Sequence, residues 1–141
     1  MLKEENERKK KYLCGYLNAL KEEERIKQEI EVFRLRKMNP SLNMDGMPHS
    51  NSHSDLSGYM AKLDDLLREL RIEQEKAVVK YSEIRNDVCN MQTDIYREIL
   101  TRKYLLGETL EVIAVGLNYS YKQICRLHGN ALIEFKMKDV L

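Results

Sequence analysis

Gly107-Glu108-Thr109-Leu110-Glu111-Val112-Ile113-Ala114-Val115-Gly116-Leu117-Asn118-Tyr119-Ser120 leads on to Ile124, Leu127 and Ala131-Leu132, and this spacing decides the fold of the last third of the chain. Gly107 tolerates the left-handed conformation that ends a helix, and Thr109 carries a side-chain oxygen able to cap the next one. Leu110, Ile113, Ala114 and Leu117 then recur three and four apart and face inward. Asn118 accepts a left-handed backbone more readily than most residues, and Ser120 caps a last helix with Ile124, Leu127, Ala131, Leu132 and Phe135 inside. Ala114 is the small residue that two closely crossing helices need. A short helix, a tight turn and a second helix form the unit that lays one helix in a DNA major groove.

Upstream, a third helix is predicted from Thr93 or Asp94 to Leu106, with Ile95, Ile99, Leu100 and Leu105 and the rings of Tyr96 and Tyr104 on its buried faces. Residues 92–141 thus form one helical domain. Before it, residues 58–91 carry the cleanest periodicity in the chain: Met60, Leu63, Leu67, Leu70, Gln74, Ala77, Tyr81, Ile84, Val88 and Met91 alternate three and four apart. This is a heptad seam, predicted to drive self-association as a homodimer, within a helix that Ser57 caps and that is roughly 50 Å long. Gln74 inside the seam is the kind of polar residue that fixes register. Residues 38–57, with Asn39-Pro40, Met47-Pro48 and a run of Ser, Asn and His, are loop chemistry. Residues 1–37 hold Leu13, Tyr16, Leu17, Leu20, Ile26, Ile30 and Phe33 on one face of a single amphipathic helix. The expected fold class is all-α, a long helical hairpin or coiled-coil arm followed by the three-helix domain.

Charge bounds the partners. Residues 1–37 carry 11 basic and 8 acidic groups, residues 38–91 carry 6 and 9, and residues 92–141 carry 7 and 6. Affinity for phosphate follows the Lys and Arg that reach it, so a C-terminal domain this near neutrality is expected to bind DNA modestly as a single copy. Lys9-Lys10-Lys11 read as a solvated helix face rather than as phosphate contacts. No apolar run approaches the roughly 18 residues of a membrane span, and the charged start Lys3-Glu4-Glu5 is unlike a signal peptide. A cytoplasmic protein with no membrane partner is expected. Cys14, Cys89 and Cys125 lie far apart without a C-x-x-C pair, which favours reduced thiols over a disulfide framework or zinc. His49 and His53 lack a second ligand pair, so no metal and no cofactor are expected. No phosphate-binding glycine loop or nucleophile–base set is present, and no catalytic residue is assigned.

Arg97-x-Ile99-Leu100-x-x-Lys103-Tyr104-Leu105-x-Gly107-x-Thr109-Leu110-Glu111-x-Ile113-Ala114, followed by Asn118-Tyr119-Ser120 and Ala131-Leu132, resembles region 4 of sigma-70-type RNA polymerase factors. The chain as a whole is similar to small phage and prophage proteins of Gram-positive bacteria that join such a module to an N-terminal helical arm through a loop with Met-Pro, here Met47-Pro48. The resemblance implies a transcription regulator that binds double-stranded promoter DNA. By position it would present Ser120, Tyr121, Lys122, Gln123, Cys125, Arg126 and Asn130 to DNA, with Lys122 and Arg126 on phosphate or guanine and Gln123 on adenine. Tyr121, Gln123 and Cys125 stand where housekeeping sigma factors are often basic, so an ordinary −35 element is not the expected target. Two alternatives share the pattern: a module that docks on host RNA polymerase with little DNA contact, and a phage packaging or structural adaptor.

Overall fold

The computed structural model describes residues 1–38 and 53–138, and every regular element among them is helical. Helix α1 spans Leu2–Leu13, α2 Gly15–Met38, α3 His53–Cys89, α4 Asp94–Leu100, α5 Leu110–Leu117 and α6 Tyr121–Glu134, with a π-helical turn at Thr101–Leu105 after α4. The all-α expectation holds. The Met47-Pro48 loop and His49 lie outside the described residues.

Three local expectations are corrected. The helix expected over residues 1–37 is two helices, because Cys14 closes α1, donating its N–H to the Lys10 carbonyl at 2.9 Å, and Gly15 opens α2. Helix α3 starts at His53, so Ser57 is an interior residue of the helix and not its cap. The third expected helix changes its pitch. After Leu100 the Leu106 N–H reaches back five residues to Thr101 at 3.0 Å, and the wide turn holds one extra residue. Ile99 and Leu100 on α4, and Tyr104 and Leu105 in the turn, are all buried as a result. A regular α-helix would carry residues five apart to different faces. Thr93 precedes α4 without capping it; its hydroxyl donates instead to Glu134 Oε1 at 2.7 Å.

The described chain forms two compact units, one of Met1–Ala19 with Ala77–Leu141 and one of Leu20–Lys76. In the first, Leu13, Ile84, Val88, Met91, Tyr104 and Phe135 lie in the larger core cluster, and Tyr12 and Tyr16 pack against it. A smaller cluster of Ile99, Ile113, Ala114 and Ile124 joins α4, α5 and α6. The Tyr12 hydroxyl donates to Asp87 at 2.6 Å, and the Lys138 N–H donates to the same carboxylate at 3.4 Å, so this buried acid is not left unpaired. In the second unit Ile26 and Ile30 of α2 meet Leu63 of α3, with Phe33, Tyr59, Leu66 and Leu70 half-buried around them. The Phe33 and Tyr59 rings stack at 4.9 Å.

The heptad seam is split by this arrangement. Leu63, Ala77, Ile84, Val88 and Met91 are buried within the chain and Leu70 is half-buried, whereas Met60, Leu67 and Tyr81 stay 47%, 38% and 38% exposed. Gln74 is exposed and reaches Glu23 of its own chain at 3.4 Å. The seam as a whole is therefore not a free self-association surface. Among the described residues no helix is long and apolar enough to cross a membrane.

Candidate nucleic-acid interface

The surface that the sequence singled out is built on α5 and α6. Helix α5 begins where Thr109 Oγ1 accepts from the Val112 N–H at 3.3 Å. It ends at Asn118, which takes φ 60° and ψ 39° and is the one described non-glycine residue at positive φ. That conformation turns the chain within three residues, while the Tyr119 N–H closes on the Ala114 carbonyl at 2.9 Å. Gly107 supplies the other positive φ, 76°, between the π-helical turn and α5.

Helix α6 then starts with a reciprocal cap. The Gln123 N–H donates to Ser120 Oγ at 3.2 Å and the Ser120 N–H donates to Gln123 Oε1 at 3.0 Å. A glutamine that pairs with adenine needs its oxygen and its amine together, and here the oxygen holds the helix end. The remaining assigned residues lie as a surface should: Ser120, Tyr121, Lys122, Arg126 and Asn130 are exposed and Cys125 is half-buried. The Cys125 side chain, within hydrogen-bonding reach, raises the Tyr121 phenol above its ordinary value, and Glu111 adds to the shift. Every residue from Tyr121 to Ile133 is neutral or basic, so Lys122 and Arg126 meet no carboxylate on their own helix before Glu134.

The glycines of these two helices differ in purpose. A methyl group on Gly116 would sit 3.0 Å from Arg102 Nη1, and Arg102 lies there paired with Glu98 at 2.7 Å and Glu108 at 3.6 Å. Gly129 has open space around it. Gly129→Ala should therefore stabilise the protein by roughly 1 kcal/mol through helix propensity alone. Urea unfolding of the variant checks this, and a loss of stability would contradict the open surroundings.

Two buried polar residues support α6 from beneath. Lys9, read from sequence as solvated, is only 6% exposed. Its Nζ donates to the Leu132 carbonyl at 2.8 Å and the Ile133 carbonyl at 3.3 Å, with Glu5 at 3.7 Å. It thus satisfies orphan carbonyls at the C-terminus of α6, where a cation also complements the helix dipole. His128 is 7% exposed, and its Nε2 lies 2.8 Å from the Tyr104 hydroxyl. Burial first, and then Lys103 and Lys10, push the His128 imidazole down to about 4. Burial likewise raises the Tyr104 phenol, so the pair is neutral. Both residues carried a legible signal: Lys9 is four residues before Leu13, and His128 lies between Ile124 and Ala131 on the inward stripe. Tyr119, in the turn, is 40% exposed.

The three cysteines are free, Cys14 and Cys125 half-buried and Cys89 exposed, and among the described residues no group of three or more His, Cys, Asp or Glu is arranged to hold a metal. Comparison of the chain with family models, curated proteins and solved structures finds no match.

Proposed function

We propose that α5 and α6 act as a helix-turn-helix reader of double-stranded DNA, with α6 lying in the major groove. One observation carries the reading: the outward side of a well-capped helix offers Lys122 and Arg126 one turn apart, exposed, with no carboxylate on their own helix before Glu134. A helix N-terminus with free N–H groups favours phosphate, and Arg and Lys at this spacing suit phosphate or guanine. The resemblance of residues 97–135 to sigma region 4 supplies the biological role, regulation of phage or prophage transcription. With only two cations on the helix, a single copy binds weakly, and two linked readers gain through effective concentration.

Fluorescence anisotropy with promoter fragments and random duplex tests the proposal. Arg126→Ala should weaken binding by about 1–3 kcal/mol, tenfold or more, and lower the salt dependence. Equal affinity for both duplexes, with Arg126→Ala unchanged from the parent chain, would refute it.

A second reading, docking on RNA polymerase, is favoured by one feature of α5. Val112 and Val115, three residues apart and so on one face, are 53% and 80% exposed. Apolar side chains contribute nothing to phosphate contact and suit a protein surface. Co-purification with polymerase in the absence of DNA, lost in Val115→Lys, would select this reading.

A further inference from the structure

In the Leu20–Lys76 unit, α3 uses one flank and leaves the other free. Leu63, Leu66, Leu70 and Tyr59 pack with Ile26, Ile30 and Phe33 of α2. Beside them Met60, Leu67 and Gln74 follow at seven-residue intervals, with Met60 47% and Leu67 38% exposed. Asp64 and Arg71 fall between these three, each four residues after an apolar neighbour, and both are exposed on the same face. Among the described residues neither makes an ion pair in its own chain, although Arg25, Lys27, Arg68 and Lys76 of this unit all do.

The order of these residues selects what covers them. Met60, Asp64, Leu67, Arg71 and Gln74 are centred on Leu67, with an acid on one side and a base on the other. A second copy laid antiparallel about a twofold axis at Leu67 sets Leu67 on Leu67, Met60 opposite Gln74, and each Asp64 beside the other chain's Arg71. A parallel pair in register would instead set Asp64 against Asp64 and Arg71 against Arg71, which repel. The adjoining groove, about 350 Å³ between Lys27, Ile30 and Arg34 of α2 and Leu67 and Leu70 of α3, then faces its own copy.

We propose that two copies of this chain associate antiparallel through Met60, Asp64, Leu67 and Arg71, closing their α2–α3 hairpins into a four-helix bundle. Such a bundle buries the flank that a lone helical pair leaves in water. The pairing does not depend on α6 binding DNA.

Light scattering on the full chain, without nucleic acid, tests it. The parent chain should have the mass of two copies. Asp64→Arg and Arg71→Asp should each raise the dimer dissociation constant roughly tenfold or more, because each turns two attractions into two repulsions. The double exchange Asp64→Arg with Arg71→Asp should restore it. Far-UV circular dichroism will show whether each variant keeps its helix content, and Leu67→Lys gives an independent disruption at the axis. A monomeric parent chain overturns the proposal. So do single exchanges that leave the dimer unchanged, as a parallel pair would, and a ring of many copies, which would instead favour the structural-adaptor alternative.

Discussion

Lys9→Ala is expected to destabilise the protein by roughly 3 kcal/mol, since hydrogen bonds to a charged group contribute about 1.5–3 kcal/mol and the abandoned Leu132 carbonyl stays buried. The ammonium serves two carbonyls, at 2.8 and 3.3 Å, with one carboxylate at 3.7 Å. Removing it leaves Leu132, itself 1% exposed, with a carbonyl that lacks its donor. Lys9→Met keeps the aliphatic stem and isolates the polar part of the loss. The neighbouring exposed Lys11 is the control, because surface substitutions of this kind stay within about 0.5 kcal/mol. Urea unfolding followed by circular dichroism separates the two. If Lys9→Ala behaves like Lys11→Ala, the cap is not formed in solution.

Acid should weaken the protein through His128. Its folded value of about 4 lies below the ordinary 6.5, so between these the unfolded chain holds a proton that the folded chain refuses. Stability from this group is complete above pH 6.5 and declines as pH falls towards 4. One pK unit is worth about 1.4 kcal/mol, so roughly 2 kcal/mol should be gone by pH 5. His128→Gln keeps a hydrogen-bonding side chain beside Tyr104 but does not titrate. The difference between parent and variant, measured at pH 7 and pH 5, cancels the ordinary carboxylates. The variant should lose less on acidification by about that amount. Equal losses would mean that His128 titrates normally.

What the sequence revealed is local. Thr109, Asn118 and Ser120 each act on backbone within three or four residues, so residue type and spacing are enough to place the turn between α5 and α6. The inward residues of α6 follow from periodicity in the same way. The pitch change after Leu100 was hidden because Leu100 and Tyr104, four apart, fit a regular helix, and only the burial of Leu105, five after Leu100, calls for the wider turn. The DNA-facing residues of α6 rest on the resemblance to sigma region 4, which does not separate the commitment of Gln123 to the cap from its availability to a base. The burial of Lys9 and the pairing of His128 are not legible because their partners lie 123 and 24 residues away, and periodicity says nothing about which polar atoms wait at the other end. The double use of α3 was ambiguous for a different reason: residues 63, 70 and 77 belong equally to both flanks, so the pattern cannot say which side the chain covers by itself.

The joining of Met1–Ala19 with Ala77–Leu141 also has a meaning in time. A chain leaves the ribosome in order, and units fold once their parts are out. The Leu20–Lys76 unit has all its residues available early. The first unit must keep Lys9 and Leu13 waiting until Leu132 and Phe135 emerge more than a hundred residues later. During that interval α1 has its partners on α3, Asp87 for Tyr12 and Ile84 and Val88 for Leu13, but not those on α6. Where two nascent chains are made side by side, the pairing proposed through Met60, Asp64, Leu67 and Arg71 would be able to form before α6 exists in either chain.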